Sequence, residues 1–217
     1  MTAPEQVSVR VRFERFPATV KGAFIIRGED RDPHQVVLRE SRVVAVDGRT
    51  ARPLSMGLAT LDVAPHHDVF VPFELGVTDL DPGWYGFVCD LDVDGVAVSS
   101  PGDKRFVVAW PRGTVRRGQV GIGKELRLGT ATTVRIEQLE CGGDSIKLHL
   151  SVMPPGRPTV KLSADGNRLE ILRVEADEAS GRVRVTAYPL LRSHNSLTIG
   201  LKGRGRGVCA SVDIPLL

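Results

Sequence analysis

Three short segments of this 217-residue chain carry side chains able to do chemistry. His66-His67-Asp68 is the densest ligand-like cluster, and His34 follows Asp32-Pro33 in another loop. Neighbouring histidines on an extended chain point to opposite faces, so both could hold one ion only from an irregular loop. The ligand spacings that usually gather three or four donors, such as Cys-x-x-Cys, are missing. These histidines are therefore expected in solvated loops, with no metal and no cofactor. Ser193-His194-Asn195-Ser196 sets hydroxyls beside an imidazole, but no Gly-x-Ser-x-Gly elbow exists to expose a nucleophile. It reads as a polar turn. Cys89 alternates in phase with Phe87 and Leu91, which places it on an apolar face as an inert thiol. Cys141 and Cys209 complete an odd count of free thiols, and a bridge between them would need Cα atoms within about 7 Å.

The charged segments point to recognition. Lys202-Gly203-Arg204-Gly205-Arg206-Gly207 joins two strand-like stretches. Glycines let a backbone approach a ligand closely, and cations meet phosphate or sulfate. Lys202, Arg204 and Arg206 are the first candidate ligand-binding residues. Arg116 and Arg117, flanked by Arg112 and Lys124, are the second set. Gly-Arg-Gly repeats also serve RNA-binding tails, but no aromatic is interleaved here to stack on bases. Glu29-Asp30-Arg31-Asp32 lacks the Asp-x-Asp-x-Asp-Gly rhythm of a calcium loop. Asp90, Asp92 and Asp94 alternate along one strand and are expected on a solvated outer face, as an acidic stripe open to a basic partner. Gly118, Gly121 and Gly123 do not form a dinucleotide fingerprint, and no βαβ unit surrounds them.

The elements that must carry these residues read as strands throughout. Val7, Val9 and Val11 alternate with Ser8, Arg10 and Arg12, which is strand patterning rather than a secretory leader. No apolar run reaches the length of a membrane span. A cytoplasmic location is the expectation. Hydrophobic residues are 41% and charged residues 25%, an ordinary globular balance. With aromatics at 5%, the core is expected to consist of Val, Leu and Ile. In the first half strands are expected over 7–16, 19–27, 35–46, 56–63, 68–77, 85–93 and 104–110. Asp94-Gly95 forms a two-residue hairpin turn. Pro111-Arg112-Gly113-Thr114 breaks the pattern. Strands then follow at 125–128, 133–139, 145–152, 159–163, 168–176, 182–188, 196–201 and 208–214. The expected division is one domain at 1–111, a linker or first edge segment at 112–124, and a second, more basic domain at 125–217. Net charge is +3 overall, with residues 1–113 acidic and 114–217 basic.

Leu80-Asp81-Pro82-Gly83-Trp84-Tyr85 opens the strand that carries Phe87 and Cys89. Leu80, Pro82, Gly83 and Tyr85 resemble the tyrosine corner of immunoglobulin-like and fibronectin type III sandwiches. The resemblance covers the first half only, and it implies an all-β fold of two tandem antiparallel immunoglobulin-like β-sandwich domains. Tandem sandwiches of this kind also resemble accessory modules at the C-termini of some bacterial wall-polymer glycosyltransferases. The expected function is non-catalytic: an adaptor that docks to a protein partner through loops or edge strands. The alternatives are binding of an anionic glycopolymer, or of nucleic acid, through residues 202–206.

Overall fold

The computed structural model describes residues 6–48, 51–54, 56, 59–203 and 209–216. The chain is an all-β protein that divides into two compact units, Met1–Val108 and Ala109–Leu217. No helix among the described residues is long and apolar enough to cross a membrane.

Unit 1 contains β1 (Val7–Arg15), β2 (Thr19–Gly28), β3 (His34–Ala45), β4 (Ala51–Pro53), β5 (Thr60–Val63), β6 (Asp68–Gly76), β7 (Gly83–Val93) and β8 (Val96–Val108). One sheet has the order β1-β2-β6, and the other β4-β3-β7-β8 with β5 also on β3. A register shift between Leu38 and Glu40 bends β3, so β5 pairs with its first half and β4 with its second. Every pairing within these sheets is antiparallel, and alternate residues turn inward. Val9, Val11, Val20, Phe24, Ile26, Val36, Leu38, Val71, Phe73, Phe87 and Leu91 make the core. The expectation of a purely aliphatic core fails here, because all seven phenylalanines precede residue 107. Phe13, Phe24, Phe73, Phe87 and Phe106 form one connected ring cluster, with Tyr85 stacked on Phe106. Gly22 makes room for it. A Cβ there would lie 2.3 Å from the Arg12 carbonyl oxygen and 2.9 Å from the Phe73 ring.

The Tyr85 hydroxyl donates to the Asp81 carbonyl at 2.9 Å. This pins the crossing from β6 to β7, with the Leu80-Asp81-Pro82 turn held under a buried ring. Tyr85→Phe is expected to lower the stability of unit 1 by about 1 kcal/mol, the net worth of one such bond. An unshifted denaturation midpoint would show that the bond contributes nothing.

Unit 2 contains β9 (Gly118–Leu128), β10 (Thr132–Cys141), β11 (Ile146–Met153), β12 (Thr159–Ala164), β13 (Asn167–Leu169), β14 (Ile171–Asp177), β15 (Arg182–Ala187), β16 (Ser196–Lys202) and β17 (Cys209–Pro215). Its sheets run β14-β15-β11-β10-β9 and β13-β12-β16-β17. Setting β9 aside, β10-β11-β15-β14 facing β12-β16-β17 is the strand order of an immunoglobulin-type sandwich. β9 is an added edge strand that also touches β17. Lys124 of β9 donates to the Asp213 carbonyl at 3.3 Å. The core of unit 2 is aliphatic: Ile136, Leu139, Ile146, Leu148, Leu150, Leu190 and Leu197 are its largest fully buried side chains.

Several elements differ from the sequence expectation, among them β4, which lies where no strand was expected. β8 begins at Val96 rather than Lys104. Ser99-Ser100-Pro101-Gly102 looks like a turn, but β8 is an edge strand, where proline is tolerated. Its register shift opposite Gly86–Val88 turns Asp103 toward β1, and the carboxylate accepts the Val11 N–H at 2.9 Å. β9 starts at Gly118 rather than at 125, so 118–124 is part of an edge strand, the second of the two expectations for the stretch 112–124. The stretch 168–176 is two strands, β13 and β14, on different sheets with Glu170 between them.

Candidate functional site at the loop end of unit 2

Three connections meet at one end of the second sandwich. They are the β9–β10 turn at 129–131, the β11–β12 loop at 154–158 and the start of the β16–β17 connection at Gly203. Together they line an open cleft of about 550 Å³. Its walls are Leu128, Val152, Pro154, Pro155 and Pro158, with Thr130, Thr132 and Arg157 as the polar side chains. Proline has a fixed φ and no N–H, so Pro154-Pro155-Gly156-Arg157-Pro158 cannot join either sheet and stands as a loop of apolar rings. Met153 beside it is 71% exposed. Arg157 is exposed, and its Nη2 lies 3.4 Å from the Val174 carbonyl. Lys202, the residue before Gly203, is also exposed. No carboxylate, imidazole or thiol is among the described residues that line the cleft. What remains can hold an apolar side chain and, through Arg157, an anionic group.

Among the expected ligand-binding residues, Lys202 lies at this end, and Arg204 and Arg206 lie outside the described residues. Arg116 and Arg117 are elsewhere. The Arg116 guanidinium donates to the carbonyls of His194 at 2.7 Å and of Arg192 and Leu216 at 3.3 Å. These bonds tie the chain before β9 to the corner before β16 and to the end of β17. Arg117 is exposed over Gly143 of the β10–β11 turn. The seven residues of β16 separate these arginines from Lys202 by about 20 Å, at roughly 3.3 Å per residue. Cys141 and Cys209 are likewise at opposite ends. Cys141 pairs with Gly118, whereas Cys209 pairs with Lys202 beside the cleft. Arg157 and the prolines were not among the expected site residues; their loop is the gap between the strands expected at 145–152 and 159–163.

The other candidates resolve into structure. Asp165 at the β12–β13 turn accepts the Asn195 N–H at 3.0 Å and the Ser196 N–H at 2.8 Å. Those bonds hold its carboxyl below the usual range. The Leu191 N–H donates to His194 Nδ1 at 3.1 Å, and burial lowers the His194 pKa. Cys89 is fully buried against the Ser41 hydroxyl, and burial raises its pKa.

Two expectations for unit 1 are overturned. The acidic stripe is not free for a partner. Asp90 bonds Arg42 and Ser99, Asp92 bonds Arg39, and Asp94 bonds His34 and the Gln35 N–H. His34 is not a solvated loop histidine but is 5% exposed, because it opens β3 in phase with inward-facing Val36 and Leu38. His66 and His67 are exposed at the β5–β6 connection. Among the described residues no group of three or more His, Cys, Asp or Glu side chains is placed to hold a metal.

No family model and no curated protein sequence matches the chain. Several solved structures are similar at low level, including the two that follow. A conserved domain protein from Bacillus anthracis shares 12% identity with a TM-score of 0.39, over 99% of this chain and 89% of that one. A marsupial T cell receptor shares 11% identity with a TM-score of 0.29, over 98% of this chain and 63% of that one. Likenesses this distant carry no argument about function.

Proposed function

We propose that this chain is a non-catalytic binding protein built from two immunoglobulin-like sandwiches. Its unit 2 cleft takes a segment of a protein partner that presents an apolar residue next to a carboxylate. The cleft itself is the observation that carries this reading. Its walls are proline and aliphatic side chains, its charged lining residue is Arg157, and Lys202 stands beside it. Apolar concave sites with a few placed polar groups are the usual form of ligand pockets. Sandwiches of this class present their end loops to partners. The kinship with immunoglobulin-like proteins is supported by the strand order and by the Tyr85–Asp81 bond.

The test is affinity capture from the source cells with quantitative mass spectrometry. Arg157→Glu and Ala131→Trp should each reduce a captured partner by about tenfold or more, equivalent to ~1.4 kcal/mol. Arg117→Glu at the far end should not. A partner retained by both cleft variants, or lost equally with Arg117→Glu, would overturn the reading.

One observation favours a second reading, an anionic polymer on the outer face of unit 2. Lys161 and Lys202 flank Gly200 on β12 and β16. Hollows of about 490 and 270 Å³ there share Thr159, Lys161 and Gly200. Binding of that kind would weaken steeply with the logarithm of salt concentration and would be lost with Lys161→Gln and Lys202→Gln together. A cleft-bound peptide would keep its affinity with Lys161→Gln alone, since Lys161 does not line the cleft, and would depend less steeply on salt.

A further inference from the structure

At one end of unit 1, two loops converge on a single buried ring. His34 Nδ1 lies 2.6 Å from Asp94 Oδ2, and Nε2 lies 2.7 Å from Asp30 Oδ1. Asp30 belongs to the β2–β3 loop, and Asp94 to the two-residue β7–β8 turn with Gly95. Both turn residues have positive φ, 50° and 84°. The second carboxylate oxygen of Asp94 accepts the Gln35 N–H at 2.9 Å, and the Asp94 N–H donates to the Gln35 carbonyl at 3.0 Å. The Asp32 N–H donates to Asp30 at 3.2 Å. The ring is thus the only side chain bonded to both carboxylates among the described contacts.

Carboxylates accept hydrogen bonds and do not donate them. Neutral imidazole has one N–H and can serve only one of the two; the other would face a lone pair. Imidazolium has two N–H groups and serves both. We propose that His34 is a protonation-dependent latch: as imidazolium it fastens the β2–β3 loop to the β7–β8 turn, and loss of the proton breaks one of the two bonds that join them.

The surroundings leave this pair of carboxylates in control. Of the other charged groups on neighbouring elements, Glu29 bonds the Ser8 hydroxyl, Asp92 bonds Arg39, and Asp68 pairs with Arg10 and Arg27. Asp62 of β5 is opposite Gln35, whose side chain lies on the other face of β3 from His34. Arg31 and Asp32 are exposed in the β2–β3 loop, and His66 and His67 are exposed on the β5–β6 connection, where His67 Nδ1 lies 2.8 Å from the Pro65 carbonyl. Hydrogen bonds to Asp94 and then Asp30 raise the His34 pKa above 6.5 against the opposing effect of burial. The His34 bond in turn lowers both carboxyls below 3.8.

The direction follows from linkage. The folded ring holds its proton more tightly than the unfolded one. Its stabilisation is therefore complete below 6.5 and is lost as pH rises through the higher folded value. The carboxylates act oppositely: their contribution is present above 3.8 and is lost as pH falls through their lower folded values. The latch is closed between these limits.

The experiment is an NMR pH titration of the full chain, following the His34 ring carbons and the backbone nitrogens of Asp30, Asp32, Asp94 and Gly95. The His34 midpoint is expected above 6.5, and the loop nitrogens should shift with the same midpoint. In His34→Gln, whose amide does not titrate, that step should vanish from the loop signals. A ring midpoint at or below 6.5, or loop signals that stay still through the ring titration, would overturn the latch, as would a step that persists in His34→Gln. Should the variant fail to fold, the wild-type ring and loop midpoints decide the matter alone.

Discussion

Phe87→Ala is expected to cost unit 1 about 3–5 kcal/mol, the range for removing a fully buried phenylalanine side chain. Phe87 is 1% exposed, and its ring centroid lies 5.1–6.2 Å from those of Phe13, Phe24, Phe73 and Phe106. These neighbours come from both sheets and from opposite edges. Four strands, β1, β2, β6 and β8, therefore meet on one side chain of β7. A cavity here cannot close by moving one neighbour, since each is held by its own strand ladder. Whole domains are stable by only about 5–15 kcal/mol, so this substitution takes a large share of what unit 1 has. Phe70→Ala is the control. Phe70 is 58% exposed on the outer face of β6, and a surface change of that kind usually stays within about 0.5 kcal/mol. Urea unfolding followed by NMR signals from each unit should show unit 1 alone shifted, and only for Phe87→Ala. Equal shifts for both variants would mean that the ring cluster is not the keystone of this sandwich.

Much of this fold was legible because its signal is local. Clean alternation, as in Asp68–Gly76, gives both the strand and the face that turns inward. Asp94-Gly95 gives the hairpin, since both residues accept positive φ. Leu80-Asp81-Pro82-Gly83 with Tyr85 gives the corner. The failures share a physical cause, which is that pairing partners override local character. Pro101 and Gly102 look like a break, yet an edge strand needs no N–H on its open side. The run 168–176 looks continuous because β13 and β14 differ in which sheet they join, and strand patterning is blind to that. Gly118, Gly121 and Gly123 weaken the strand signal of β9. Gly123 has φ 66° and lies where β9 and β10 slip register.

The site was less legible, because charge in a sequence says nothing about who neutralises it. Asp90, Asp92 and Asp94 looked available, but β3 lies alongside and supplies Arg42, Arg39 and His34 at matching positions. His34 looked like a loop residue because Asp32-Pro33 precedes it. One step of strand phase then places it among Val36 and Leu38. A common geometry ties the two units together. In each, the loop after the second strand of the sandwich proper meets the connection between its last two strands. In unit 1 those loops are joined by an ionised ring, while in unit 2 they open as a cleft. Nothing in the local sequence marks the two ends as equivalent. Only the strand order does.

Arg116→Ala is expected to destabilise unit 2 by about 2–3 kcal/mol, in the range for loss of hydrogen bonds to a charged group. One guanidinium nitrogen is shared by three backbone carbonyls, those of Arg192, His194 and Leu216. The backbone around it is anchored too, with the Arg116 N–H on the Leu190 carbonyl at 2.8 Å and the Arg192 N–H on the Thr114 carbonyl at 2.8 Å. Unit 2 has no tyrosine at the start of β16 to pin this corner as Tyr85 does in unit 1, and Arg116 takes that place from the opposite side of the chain. Removing it leaves carbonyls without their donor at a half-buried corner, which is costlier than a lost surface contact. Arg116→Lys should recover part of the loss, because an ammonium carries N–H groups for the three carbonyls that one guanidinium nitrogen serves but stands on a shorter, more flexible stem. Denaturation midpoints of the two variants, read on unit 2 signals, separate the alternatives. If Arg116 instead faced a partner, Arg116→Ala would leave the midpoint in place and weaken capture in the cleft experiment, and Lys would substitute for it nearly as well.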